Sequence, residues 1–87
     1  MTGPYRIEIE RKAVKRLTKM HPRERKQIVA AIDALATDPR PDGCTKLKAR
    51  PGYRIRVGEN RVIYDVDDQV VTVHVLRLGP RGEVYDA

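Results

Sequence analysis

Eighty-seven residues with no apolar run long enough to span a membrane and no secretory leader pattern predict one small domain with a modest core, soluble and cytoplasmic. Eighteen Lys plus Arg against twelve Asp plus Glu give +6, which favours an anionic partner: nucleic acid, an anionic membrane surface or an acidic protein. A single cysteine, Cys44, excludes an internal disulfide, and the absence of Trp and Phe argues against the aromatic platforms that grip single strands by stacking.

In chain order, Tyr5, Ile7 and Ile9 alternate with Arg6, Glu8 and Glu10, which predicts a first strand. From Arg11 the period becomes helical: Ala13, Val14, Leu17 and Met20 form a stripe, with Lys12, Lys15, Arg16 and Lys19 outward. His21-Pro22 breaks that helix, and Pro22 suits the first position of a second one. Ile28, Val29, Ile32 and Leu35 make its stripe, and Asp38-Pro39 ends it. Arg40 to Pro51 reads as a loop with a short extended piece around Leu47, carrying Lys46, Lys48 and Arg50. Charge is uneven: residues 1–50 hold 13 Lys/Arg and 6 Asp/Glu, and residues 51–87 hold 5 and 6.

The stretch from Gly52 to Tyr64 is two alternating runs around a turn, an antiparallel hairpin. With Gly58 and Glu59 as the central pair of a type II′ turn, Arg56 sits opposite Arg61. Tyr53, Ile55, Val57, Val62 and Tyr64 then share an apolar face, and Arg54, Arg56 and Arg61 share the other. A three-residue loop would instead mix Arg56 with Val62 and Tyr64, so the two-residue turn is preferred. Like charges opposed across a sheet destabilise it, and an anion should compensate them. After a turn at Asp68-Gln69, Val70 to Leu78 forms a long strand. A two-residue turn pairs Val66 with Val71, Tyr64 with Val73 and Val62 with Val75, leaving Thr72, His74, Leu76 and Leu78 on the arginine face. Gly79 to Gly82 reads as a turn and Glu83-Val84-Tyr85 as a short extension. The order β-α-α-β-β-β predicts one α+β domain over 1–87, an antiparallel helix pair on one face of a mainly antiparallel four-stranded sheet.

Leu47-Lys48, Tyr53-Arg54-Ile55-Arg56-Val57-Gly58, Arg61-Val62-Ile63-Tyr64 and Gly79-Pro80-Arg81-Gly82-Glu83-Val84-Tyr85 together resemble the RelE/ParE superfamily of toxins from type II toxin–antitoxin systems. The resemblance covers nearly the whole chain and implies a RelE-like fold. RelE-type members cut mRNA in the ribosomal A site, whereas ParE-type members poison DNA gyrase and lack the ribonuclease residues. In the RelE branch the catalytic set maps here onto Arg54, Arg56, Arg61, Arg81 and Tyr85, which favours that branch. Two departures stand out: arginines occupy the paired hairpin positions where lysines are known, and Pro80 replaces a polar or basic residue. The resemblance also implies a cognate antitoxin in a toxin–antitoxin hetero-oligomer, with the ribosome and mRNA as partners and no membrane, metal or cofactor.

Metal-free RNA cleavage uses the ribose 2′-OH as nucleophile on the adjacent phosphate. It needs a proton acceptor, stabilisation of charge on phosphorus, and protonation of the leaving oxygen. Guanidinium forks suit the second task, but arginine, protonated at ordinary pH, is a poor base. On this reading Arg56 and Arg61 hold the scissile phosphate, Arg81 acts at the leaving oxygen or clamps phosphate, and Arg54 assists near the 2′-OH. Tyr85 orients the ribose or stacks on a base, and the general base is unassigned. Lys12, Lys15, Arg16, Lys19, Lys46, Lys48 and Arg50 are candidate RNA or ribosome contacts, although a basic helix face is ordinarily just solvated. His74 and Cys44 stay outside the set, and Tyr53 and Tyr64 read as core. Two other functions compete: a ParE-like gyrase inhibitor, and a non-catalytic nucleic-acid-binding corepressor acting with its antitoxin.

Overall fold

A computed structural model describes residues 3–80 of the chain. The elements run β1 (Arg6–Ile9), α1 (Arg11–Lys19), α2 (Pro22–Leu35), β2 (Thr45–Lys46), β3 (Tyr53–Val57), β4 (Asn60–Asp67) and β5 (Thr72–Pro80). Ala13 and Leu17 give α1 its buried face, and Ile28, Ile32 and Leu35 give α2 its own. Between the helices, the His21 ring accepts the Arg23 N–H at 3.1 Å as an N-cap, and Pro22 follows at the first helical position. Val14 and Val29, expected in the stripes, are 43% and 40% exposed. Each helix meets the sheet on one side only, so its apolar contact is narrower than periodicity suggests.

Among the described residues five strands, not four, form one sheet in the order β1-β5-β4-β3-β2. The fifth is the extended piece expected near Leu47, where Thr45 and Lys46 pair with Arg54 and Tyr53. The β1–β5 pairing is parallel and the other pairings are antiparallel. Both helices lie on one face, where their buried residues pack with Ile55, Val62, Tyr64, Val73, Val75 and Leu78. The α+β architecture is as expected, and among the described residues no helix covers the opposite face.

The β3–β4 hairpin has the expected register, with Arg56 opposite Arg61 and Val57 opposite Asn60. Gly58 has φ +62° and Glu59 does not enter the left-handed region, which fits a type II′ turn. The β4–β5 register differs. Val66 pairs with Val73 rather than Val71, because Asp67 Oδ1 accepts the N–H groups of Gln69 and Val70 and lengthens the turn. A shift of two preserves the faces, but a bulge beside Ile63 and Tyr64 then changes them. Tyr64 pairs with Val75 while Ile63 pairs with Arg77, leaving Leu76 as the extra residue. Leu78, expected on the arginine face, therefore joins the core opposite Val62 at 5% exposure. The strand also continues through Gly79 and Pro80, where a turn was expected.

One polar cluster ties the loop after α2 to the sheet. The Arg40 guanidinium forks onto Asp68 at 2.9 and 3.3 Å and donates to the Tyr53 hydroxyl at 2.9 Å. Tyr5 donates to Asp68 at 2.6 Å, and the buried Tyr64 hydroxyl donates to the Pro39 carbonyl at 2.8 Å. The Tyr53 and Tyr64 rings stack with centroids 5.8 Å apart. Hydrogen bonds from Arg40 and then Tyr5 hold the Asp68 carboxyl below its usual range, and the same contact raises Tyr5. Burial, followed by the nearby Cys44, raises Tyr64.

Candidate nucleic-acid interface

Alternation along β3 and β4 delivers Arg54, Arg56 and Arg61 to the helix-free face. Arg56 and Arg61 stand directly opposite one another, and Arg54 stands between Thr45 and Ile63. Arg61 is only 8% exposed, and its buried Nε has no hydrogen-bond partner among the described residues. Leaving such a donor unsatisfied costs about 1–3 kcal/mol, and an anion would recover it through a charge-assisted hydrogen bond. Beside it lies an open cleft of about 350 Å³ lined by Arg56, Gly58, Glu59, Arg61 and Pro80. Glu59 is the one carboxylate among these residues. The hairpin tip is anchored from below: Asn60, itself buried, donates to Glu24 of α2 at 3.3 Å. The chemistry on offer is two guanidinium groups for an oxyanion with one carboxylate as a proton acceptor.

Among the described residues, the other expected site residues do not line the Arg56–Arg61 cleft. Lys46 pairs with Tyr53 and holds its ammonium 5.3 Å from that ring, on the helix-bearing side and away from the arginines. Lys48 and Arg50 are exposed in the loop before β3. Lys12, Lys15 and Lys19 are exposed on α1, and the Arg16 guanidinium lies 3.5–3.6 Å from where a Cβ at Gly79 would stand. Arg81 and Tyr85 lie outside the described residues, as does the Glu83–Tyr85 extension. His74 lies on the helix-free face and pairs with Glu8 at 3.5 Å. Arg77 escaped the sequence reading, and the bulge brings it opposite Ile63, which Arg54 flanks on the other side. Its signal was available: strict alternation from Val73 and Val75 would drive Arg77 into the core, and a charged residue there demands a break in register. Among the described residues no cluster of three or more His, Cys, Asp or Glu is placed to hold a metal, and no helix is long and apolar enough to cross a membrane.

A family model described as the ParE toxin of the type II toxin–antitoxin system parDE matches residues 7–85. The chain belongs to that toxin family. Among solved structures, the toxin is similar to the archaeal RelE–RelB complex of Pyrococcus horikoshii, with TM-score 0.80, 30% identity, and 92% of this chain and 98% of that one covered. It is also similar to the RelBE2 toxin–antitoxin complex of Mycobacterium tuberculosis (TM-score 0.80, 26% identity, 95% and 98% covered). The isolated RelE toxin of E. coli matches as well (TM-score 0.77, 29% identity, 93% and 90% covered). No curated protein matches. The family model carries the ParE name and these structures carry RelE names, so the toxin is a member of the RelE/ParE superfamily with a RelE-like fold.

Proposed function

We propose that this toxin is a ribosome-dependent endoribonuclease of the RelE branch, which cleaves mRNA in the A site and thereby arrests translation in the cytoplasm. The observation that carries this reading is Arg61, opposite Arg56 at the helix-free cleft, whose buried Nε has no partner among the described residues. Two guanidinium forks there would hold the non-bridging oxygens of the scissile phosphate while the 2′-OH attacks phosphorus. The reaction needs no metal: the 2′-oxygen bonds to phosphorus as it gives up its proton, the bond to the 5′-oxygen breaks, and that oxygen takes a proton from water, leaving a 2′,3′-cyclic phosphate and a 5′-OH. Glu59 at the cleft takes the 2′-OH proton, Arg54 supports the ribose side, and Arg81 and Tyr85 complete the set. A cognate antitoxin restrains the activity in a hetero-oligomer, as complexes such as RelE–RelB of P. horikoshii suggest by analogy.

The test is translating ribosomes programmed with a short mRNA, with cut ends mapped by primer extension. Codon-registered cuts that vanish in Arg61→Ala and fall at least tenfold in Glu59→Gln support the reading. The ParE name of the family model favours one rival, inhibition of DNA gyrase. Intact mRNA alongside gyrase-dependent DNA breaks would decide for that rival.

A further inference from the structure

A second basic cleft lies beyond the Arg56–Arg61 site. About 280 Å³ in volume, it is lined by Glu10, Arg11 and Lys12 at the start of α1, Arg50 of the loop before β3, and Leu76 and Arg77 of β5. Four cations from three separate segments meet here against one carboxylate. None of the four takes part in the ion pairs among the described residues, which are Arg6–Glu8, Arg40–Asp68 and His74–Glu8. Arg11 and Lys12 also occupy a first helical turn that holds no acidic residue, where the helix dipole disfavours positive charge. Among the described residues, like charge is concentrated at this point with only Glu10 of opposite sign in the lining.

The bulge is the independent observation. It gives up regular pairing at Leu76 and in exchange presents Arg77 on the helix-free face while Leu78 stays in the core. Arg77 then continues a row: it faces Ile63, and Ile63 faces Arg54. Ile63 is two residues from Arg61 along β4, about 6.6 Å at the usual rise per residue. The two clefts therefore lie on one track across the sheet face, joined by Arg54 and Arg77.

We infer that Arg77, Arg50 and Lys12 form a second phosphate subsite, which takes a backbone phosphate of single-stranded RNA flanking the nucleotide at Arg56 and Arg61. This rests on the RNA reading above and extends it from one phosphate to a path. RNA is favoured over an acidic protein segment because the two clefts follow one line of spaced cations, which suits a regularly charged backbone. The subsite fixes the register of the strand, whereas the Arg56–Arg61 cleft meets the reacting phosphate.

The test measures binding of the full chain to fluorescent 2′-O-methyl oligoribonucleotides, a dinucleotide and a hexanucleotide, over a salt series. In Arg50→Ala/Arg77→Ala, hexanucleotide affinity should fall about tenfold, and the slope of log K against log salt should shrink by about 0.7 for each phosphate that is no longer neutralised. Dinucleotide affinity should stay the same, and Arg77→Lys should recover most of the loss. Lys12→Ala/Arg50→Ala, which alters only exposed side chains, gives the same readout if the Arg77 change disturbs the bulge. Unchanged hexanucleotide affinity and slope in both double variants would overturn the subsite, as would equal weakening of both oligonucleotides. So would failure of the unaltered chain to bind the hexanucleotide, or sensitivity of a polyglutamate peptide alone. Primer extension on ribosomes separates the two ideas. Cleavage with an indifferent hexanucleotide sinks the subsite alone; a discriminating hexanucleotide with no cleavage sinks the nuclease reading and leaves an RNA-phosphate site.

Discussion

Arg61 spends stability on a position. Its buried Nε has no partner among the described residues, and Arg61 pairs with the like-charged Arg56 across the hairpin. Both features oppose folding, by about 1–3 kcal/mol for the unsatisfied donor alone. Arg61→Met keeps the buried stem and removes donor and charge together. It should raise the free energy of unfolding by about 1 kcal/mol, or about 4–8 °C in melting temperature, while abolishing growth arrest. A melting temperature that falls instead would show that Arg61 is a structural residue. Alternation alone places Arg61 with Arg54 and Arg56, so its face was legible in the sequence. Its burial was not, because burial depends on how neighbouring strands and side chains close over it.

Turn chemistry explains which elements could be read. Gly58-Glu59 has a glycine where a two-residue hairpin needs a positive φ, so local chemistry fixed that register. The β4–β5 turn offers no such signal. Asp67 lengthens it by accepting two N–H groups, and Val71 takes φ +49°, a conformation that a β-branched residue rarely adopts. The parallel β1–β5 pairing joins residues more than sixty apart, and local pattern says nothing of it. The cluster around Arg40 was equally silent, since Tyr5, Arg40, Tyr53 and Asp68 meet only after folding. Its consequences are measurable. Tyr64→Phe removes the hydroxyl that pairs with the Pro39 carbonyl and should cost about 1–2 kcal/mol in urea denaturation. Asp68 has a folded pKa below its unfolded value, so its contribution is complete above about pH 4 and is lost as pH falls through the lower folded value. Tyr5 and Tyr64 are raised, so theirs is complete below about pH 10 and is lost as pH rises through the folded values. Urea midpoints across pH should show both limbs, and Asp68→Asn should flatten the acid limb while leaving the alkaline decline from Tyr64. An acid limb equally steep in Asp68→Asn would remove Asp68 from that account.

At the scale of the molecule, helices on one face leave the other free for charge, and the strand order decides how firmly that face is held. The longest strands, β4 and β5, are central, while β1 and the two-residue β2 form the edges. Val62, Ile63, Tyr64, Val73 and Val75 are at most 1% exposed, so their amides should open only with global unfolding. Arg61 thus sits on the most firmly held strand, as the phosphate contact proposed for it would require. The loop carrying Lys48 and Arg50 is tied across by one backbone hydrogen bond, Leu47 N–H to the Gly52 carbonyl at 3.0 Å, and should open at far lower free energy. Amide hydrogen exchange on the full chain should therefore show β4 and β5 slowest and residues 47–52 fastest among the sheet and its connections. Adding the 2′-O-methyl hexanucleotide should slow exchange in that loop, because Arg50 becomes ordered on a phosphate, and should slow β4 only through the stabilisation that any ligand of the folded state confers. Protection confined to the helix-bearing side would place the ligand on the wrong face, and β4 amides exchanging faster than those of β1 would contradict the order of stability inferred from the sheet.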